Sequence, residues 1–127
     1  MSNQTQYSLT VTVSAEFVAE QSDIANGPYV FSYSVKIENT GTKTAQLLSR
    51  HWIIKDAFSK IQEVKGTGVV GAQPVLKPGE HFEYTSGCPL NTPMGSMKGT
   101  YQCVAEDGHQ FDAEIPEFIL NMPRTLH

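Results

Sequence analysis

The chain has 127 residues and a mass of 14.0 kDa, which suits a single domain with one hydrophobic core. Its 9 basic and 13 acidic residues give a formal charge of −4, which argues against a nucleic-acid partner. No run approaches the roughly 20 consecutive apolar residues of a membrane span and no export signal begins the chain, so we expect one cytoplasmic domain over residues 1–127 without membrane insertion.

Apolar and polar residues alternate with a period of two along much of the chain, as in half-buried antiparallel strands. The clearest alternations begin at Tyr7 and at Phe31. The 10 glycines and 7 prolines leave few windows in which a helix could run. The sequence predicts strands, in chain order, over residues 7–13, 31–38, 46–56, 60–65, 74–76, 81–86, 97–106 and 110–120.

Turn residues separate these strands. The segment 39–41 closes the second strand, and Pro78 with Gly79 predicts a type II turn. Asp107-Gly108 predicts a two-residue hairpin. Short strands joined by turns, without crossover helices, favour an all-β fold: an immunoglobulin- or fibronectin type III-like antiparallel β-sandwich, with a closed barrel as the second choice.

The third strand departs from simple alternation. Leu47 and Ile53 fall on one of its faces, whereas Leu48, Trp52 and Ile54 fall on the other. We therefore expect both faces of this strand to be covered. Trp52 lies near the middle of the strand, as the core tryptophan does in immunoglobulin strand C.

A glycine motif follows the fourth strand and matches the spacing G-x-G-x-x-G. Its residues are Gly66, Thr67, Gly68, Val69, Val70 and Gly71. A dinucleotide site needs a helix after the last glycine, and Pro74 and Pro78 prevent one. A P-loop needs a lysine after the last glycine, where this chain has Ala72.

Three interpretations of segment 66–71 remain open. It is a plain connection whose glycines take positive φ, or an anion-binding nest in which Lys65 or Arg50 assists the backbone amides. Alternatively, Val69 and Val70 form a small hydrophobic contact for a protein partner, unless they tuck under the sandwich.

Arg50 and His51 are neighbours in the third strand, so one of the two side chains points inward. Arg50 either anchors an anion or a partner, or is satisfied by a carboxylate such as Glu83 or by loop carbonyls.

Metal-binding and catalytic patterns are missing from the sequence. Residues of the types that bind metal occur, but their spacing matches no metal motif: His51, His81, His109, His127, Cys88 and Cys103. We expect both cysteines to be reduced thiols. No nucleophile motif occurs either, so we expect neither an enzyme nor a bound cofactor or metal.

Residues 46–54 (QLLSRHWII), 63–71 (EVKGTGVVG) and 73–74 (QP) closely resemble the bacterial ApaG family. Further similar positions are spread over nearly the whole chain: 78–80, 82–87, 90, 92–93, 95, 97, 99–101, 115–116 and 126–127. The resemblance implies a fibronectin type III-like sandwich and an association with cobalt and magnesium efflux. It also implies a reading of the glycine motif as pyrophosphate-binding, which falls here on Gly66, Gly68 and Gly71.

Domains similar to this family occur in an F-box protein and in a DNA polymerase delta-interacting protein, where they look like protein-binding modules. The leading hypothesis is therefore a protein-binding adaptor that uses segment 66–71 and the strand surface with Arg50, linked only indirectly to cobalt and magnesium resistance. The alternative is a sensor of a nucleotide or pyrophosphate that binds through the same segment. Self-association through an exposed sheet edge is compatible with either.

Overall fold

The computed structural model of this protein describes residues 6–123. The sequence-based statements on His127 and on the similarity at 126–127 lie outside the described residues.

Eight strands make up the described chain, as the sequence predicts, and the first begins at Leu9 instead of Tyr7. A single turn of 3-10 helix, Ala19–Gln21, follows the first strand. The strands are β1 Leu9–Phe17, β2 Tyr29–Asn39, β3 Ala45–Asp56, β4 Ile61–Thr67, β5 Val75–Leu76, β6 His81–Leu90, β7 Met94–Ala105 and β8 Gln110–Asn121.

The strands form two antiparallel sheets packed face to face, which confirms the predicted β-sandwich class. One sheet has the order β1-β2-β6. The other has the order β4-β3-β7-β8, and the short β5 pairs with the beginning of β3. Strand β1 packs beside β8, and the core lies between the sheets. Among residues 6–123, no helix has the length and apolar character that crossing a bilayer requires.

The irregular pattern of β3 comes from a β-bulge. Its pairing with β7 shifts by one residue at Leu48, which inverts the inward phase of the strand. Leu47 before the bulge and Trp52 and Ile54 after it are therefore all buried, while Ile53 lies on the outer face. The expectation of two covered faces was wrong. It assigned residues to faces by strict alternation along the sequence, and a β-bulge interrupts that alternation without a sequence signal.

The predicted turns have mixed outcomes. The type II turn is confirmed, since Glu80 N–H donates to Lys77 O at 2.9 Å and Gly79 has φ 89°. The two-residue hairpin was wrong, because Ala105 N–H donates to His109 O at 2.8 Å and so encloses three loop residues. A two-residue turn of the Asp-Gly type needs positive φ at both positions, and here only Gly108 has it.

Candidate functional site

The glycine motif forms a tight turn at the end of β4 and does not begin a helix. Val69 N–H donates to Ala72 O at 2.8 Å, and Ala72 N–H donates back to Val69 O at 2.9 Å. Between them, Val70 has φ 43° and Gly71 has φ 82°, the pair of positive values that defines a type I′ turn. The next element is the short strand β5, so the helix of a dinucleotide-binding site is missing from the place where it would be needed.

Each glycine of the motif has a structural reason within the chain itself. A Cβ on Gly66 would lie 2.7 Å from the Arg50 guanidinium carbon, and one on Gly68 would lie 2.4 Å from Ala72 O. Gly68 also has φ 65°, and Gly71 holds the second positive φ of the turn. The expected positive φ is therefore confirmed for Gly68 and Gly71, whereas Gly66 makes room for a side chain.

Arg50 is the inward member of the Arg50-His51 pair, and it holds the loop. Its Nη1 donates to Thr67 O at 3.1 Å and to Gly68 O at 2.8 Å. Loop carbonyls thus bind one end of this guanidinium, its Nη1. Glu83, the suggested carboxylate, instead lies 3.2 Å from a nitrogen of His81.

His51 lies on the opposite, outer face of β3. Its Nε2 is 2.7 Å from the carboxylate of Glu63 on the neighbouring strand. This pair joins β3 to β4 across the solvent-facing side of the sheet.

The two valines of the loop have opposite environments. The side chain of Val69 is 1% exposed and belongs to the core, so it presents no contact surface. The side chain of Val70 is 61% exposed at the tip of the turn. A β-branched residue at positive φ is a rare and unfavourable combination, and the cost is of order 1–3 kcal/mol.

Few hydrogen-bond donors of the loop remain for an anion. The N–H of Gly68 donates to Leu48 O at 2.8 Å. The N–H of Val69 donates to the carbonyl of Ala72, and the N–H of Ala72 donates to the carbonyl of Val69. The N–H groups of Val70 and Gly71 find no acceptor among the described residues, and the β3–β4 register turns the N–H of Thr67 toward the open edge of the sheet. Carbonyls engage the Nη1 group of Arg50, and the exposed Lys65 is the second cation of the predicted anion site.

Several tyrosine and cysteine side chains are buried between the sheets and neutral. The Tyr84 and Tyr101 hydroxyls hydrogen-bond at 2.5 Å, and burial raises the pKa of Tyr84 to about 12. Burial likewise raises the pKa of Cys88 to about 11 and that of Cys103 to about 12. Both thiols are free, and at neutral pH they carry their protons, which makes them poor nucleophiles and metal ligands.

No group of three histidine, cysteine, aspartate or glutamate side chains that could hold a metal ion occurs among residues 6–123.

A cleft of about 240 Å³ lies on the open side of the sandwich and was not foreseen from the sequence. It opens between β6 in one sheet and β3 and β4 in the other. Its walls include Tyr33, Arg50, Trp52, Val64, Ser86 and Pro89. A proline within a strand is a sign of a sheet edge, and that signal at Pro89 could have located the cleft.

The turn that joins β3 to β4 lies between the predicted strands 46–56 and 60–65, but its exposed aromatic residue was missed. Phe58 lies at the tip of this turn and is 84% exposed. The sequence pattern gives no reason to expect a large aromatic side chain in water.

Comparison with known proteins places this chain among close relatives. A family model described as the ApaG domain matches residues 19–105. Protein ApaG of Bordetella pertussis is 60% identical over 121 residues, which cover 95% of this chain and 92% of that protein. Protein ApaG of Thiobacillus denitrificans is 58% identical over 127 residues and the full length of both chains. A crystal structure from Bordetella pertussis, described as an ApaA protein, superposes with a TM-score of 0.92 at 58% identity and covers 96% of this chain and 99% of that one.

Proposed function

The chain belongs to the ApaG family, and on that premise we propose that it is a non-catalytic, cytoplasmic protein-binding module that docks a partner through the loop 66–71 and the adjoining end of β4. Val70, at the tip of that loop, is the anchor of the contact.

The conformation of Val70 carries this proposal. A type I′ turn normally has asparagine followed by glycine, because asparagine tolerates positive φ at little cost. This chain instead has a valine there and exposes it to water, so it accepts an unfavourable backbone and an unfavourable surface at one residue. Strain of this kind persists where it serves recognition, and burial of the side chain against a partner would recover part of its cost.

The rest of the loop supports Val70 as a rigid platform. Arg50 bonds two carbonyls on one side of the turn, and the buried Val69 fixes the other side in the core. A preorganised contact loses little conformational freedom on binding, which favours affinity from a small surface.

The alternative function, binding of a pyrophosphate or nucleotide at the same loop, has weaker support. Three loop amides and the Nη1 group of Arg50, which faces the loop, already have partners within the chain. Isothermal titration with pyrophosphate, ATP and diadenosine tetraphosphate, with and without magnesium, separates the two functions. Heat that saturates at millimolar ligand or below would favour the phosphate sensor instead.

In this proposal the protein contributes to cobalt and magnesium resistance only indirectly, through its partner. The partner, and not this chain, would handle the cation. A metal-dependent rise in melting temperature that a chelator reverses would contradict that assignment.

The proposal is tested by capture of partners on immobilised wild-type protein and on Val70→Asn. Asparagine relieves the backbone strain and removes the apolar anchor, so this variant should melt at the same or a higher temperature and lose the partner. Ile119→Asn is the matched control, because Ile119 is 64% exposed at the opposite end of the molecule. Equal capture of the same partner by Val70→Asn and by wild type would refute the proposed surface.

A further inference from the structure

The two sheets differ in the number of strands, and the difference leaves one position empty. The sheet β1-β2-β6 has three strands, and the other has four main strands. Strand β1 packs beside β8 at one side of the sandwich. From that side, the strand orders place β2 opposite β7 and β6 opposite β3. No strand of residues 6–123 therefore lies opposite β4.

The burial of β4 agrees with this count. Trp52 and Ile54 on the inner face of β3 are 2% and 9% exposed. Their pairing partners on β4 are Val64, which is only half-buried, and Gln62, which is exposed. The inner face of β4 thus overhangs the edge of the opposite sheet and remains partly in water.

The edge of β6 offers backbone groups to a further strand. Asn39 N–H donates to Glu80 O at 2.9 Å, which sets the phase of the β2–β6 ladder. In that phase, every second residue of β6 turns its N–H and C=O away from β2, toward the open edge. These residues are His81, Glu83, Thr85, Gly87 and Pro89.

Two of these edge residues bear on what can bind there. Pro89 has no N–H, and at this position no hydrogen bond to β2 is lost because of it. Nothing within the chain requires a glycine at position 87. A Cβ there would meet only Phe31 O, at an ordinary 3.6 Å, and Gly87 does not have a positive φ. A glycine in a strand without an internal reason is typical of a place where another backbone approaches closely.

The groove beside this edge has an apolar floor and a cation at each end. The cleft with Trp52 at its base has Arg50 on its wall, and it continues past Ile54 and Pro89 into a second cleft of about 270 Å³ that includes Lys60. Arg50 Nη2 and Nε donate to no acceptor among the described residues.

One carboxylate, Asp56, lines the groove, and it is turned to the backbone. Its Oδ1 accepts the N–H groups of Phe58 and Lys60, both at 2.9 Å. Lys60 has no carboxylate within 4.0 Å among residues 6–123. The groove therefore attracts a negatively charged occupant.

We propose that an extended segment of a partner protein adds to β6 as a fourth strand and fills the place opposite β4. Apolar side chains at alternate positions of the segment pack on Val64 and Ile54, and carboxylates at its two ends face Arg50 and Lys60. The stretch of β6 from Ser86 to Leu90 is about 17 Å long at ~3.3 Å per residue, so a segment of five to seven residues spans it. This inference rests on the proposed protein-binding function, but it uses a separate surface from Val70.

The test uses a synthetic peptide with this chemistry, acetyl-Glu-Val-Thr-Val-Thr-Val-Glu-amide. Trp52 is the only tryptophan of the chain and lies at the base of the cleft, so its fluorescence reports occupancy. We expect a saturable fluorescence change, together with slower amide hydrogen exchange at Thr85 and Gly87. A peptide with lysine at both ends should bind at least tenfold more weakly.

Three variants separate strand addition from a nonspecific contact. Gly87→Pro removes one edge donor and no ladder bond, so it should fold and bind the peptide at least tenfold more weakly. Gly87→Ala tests whether the missing side chain matters and should weaken binding less than proline does. Lys60→Glu leaves one positive and one negative end, so it should remove the preference for the acidic over the basic peptide. This variant keeps the test decisive if the proline variant does not fold.

Several outcomes would overturn the inference. These are an unchanged Trp52 signal at millimolar acidic peptide, protection that appears at amides of β4 or β8 instead, or protection of Thr85 and Gly87 that grows with protein concentration without peptide, which would indicate a second copy. Val70→Asn should bind the peptide as wild type does. Loss of peptide binding with retained Val70-dependent capture would refute this inference alone, and the reverse result would refute the proposed function alone.

Discussion

The two turns at the ends of β4 have similar exposed tips, but different contacts hold them in place. The turn 57–60 before the strand and the loop 66–72 after it each expose a large apolar side chain, Phe58 and Val70. Each also contains one non-glycine residue at positive φ. In the first turn that residue is Ser59, at 64°, whereas in the loop it is the exposed valine itself, at 43°.

The turn 57–60 is held mainly by Asp56, the residue before it, with one further bond to a distant segment. Asp56 accepts two of its backbone N–H groups, and Ala57 N–H donates to Thr92 Oγ1 at 3.1 Å. The loop 66–72 depends instead on Arg50 from the neighbouring strand and on Val69 inserted into the core. A substitution in the turn 57–60 should therefore stay local, whereas one at a residue that ties the loop 66–72 to β3 or to the core should affect the whole fold.

The largest contrast is expected from placing a charge at each site. Val69→Asp buries a carboxylate without a partner and should lower the free energy of unfolding by about 4 kcal/mol or more. Phe58→Asp, at an exposed tip, should change it by less than about 0.5 kcal/mol. Urea denaturation followed by Trp52 fluorescence measures both. Similar losses for the two variants would abolish the distinction between the turns.

Alanine at two glycines of the loop sharpens the comparison further. Gly68→Ala combines positive φ with a clash against Ala72 O and should cost about 3 kcal/mol. Gly71→Ala has open space around it and carries the φ penalty alone, about 1–2 kcal/mol. Melting curves of the two variants give the difference. A costlier change at Gly71 would contradict this account of the loop.

Removal of the local support should affect only the first turn. Asp56→Ala leaves the N–H groups of Phe58 and Lys60 without their acceptor, so we expect a loss of about 1–2 kcal/mol. Amide exchange should quicken at those two residues and stay constant at Val69 and Ala72. Faster exchange at both turns would mean that β4 couples them.

The smallest expected effect is a gain. Val70→Asn places the favoured residue at the first positive φ of the turn and should stabilise the fold by about 0.5–1 kcal/mol. Ser59→Gly at the other turn relieves a similar backbone but adds freedom to the unfolded chain, so its gain should be smaller. Calorimetric melting temperatures compare the two. A loss of stability in Val70→Asn would indicate that the valine packs favourably within the isolated chain.

Much of the fold follows from local patterns. The period of two along β2 and the turn at Pro78-Gly79 report backbone preferences that need no knowledge of the neighbours, and both predictions were confirmed. The bulge at Leu48 could not be predicted in this way, because one unpaired residue leaves no mark in composition and yet inverts the inward phase of β3.

The candidate site was less predictable than the fold. The glycine motif located the loop. Its spacing could not show that the absence of a side chain at Gly66 makes room for the Arg50 guanidinium, or that Val69 is buried while Val70 is exposed. Which of two adjacent valines faces the core depends on the turn geometry, and that depends on how β3 holds the loop.

By itself, the sequence determined that this protein is an antiparallel β-sandwich, where most of its strands lie and which family it belongs to, since alternation, turn residues and family motifs are written in neighbouring positions. Only the tertiary structure decided which side chains are free to meet a partner. The partner of Arg50, the exposure of Val70 and the empty place opposite β4 all depend on contacts between segments that are distant along the chain.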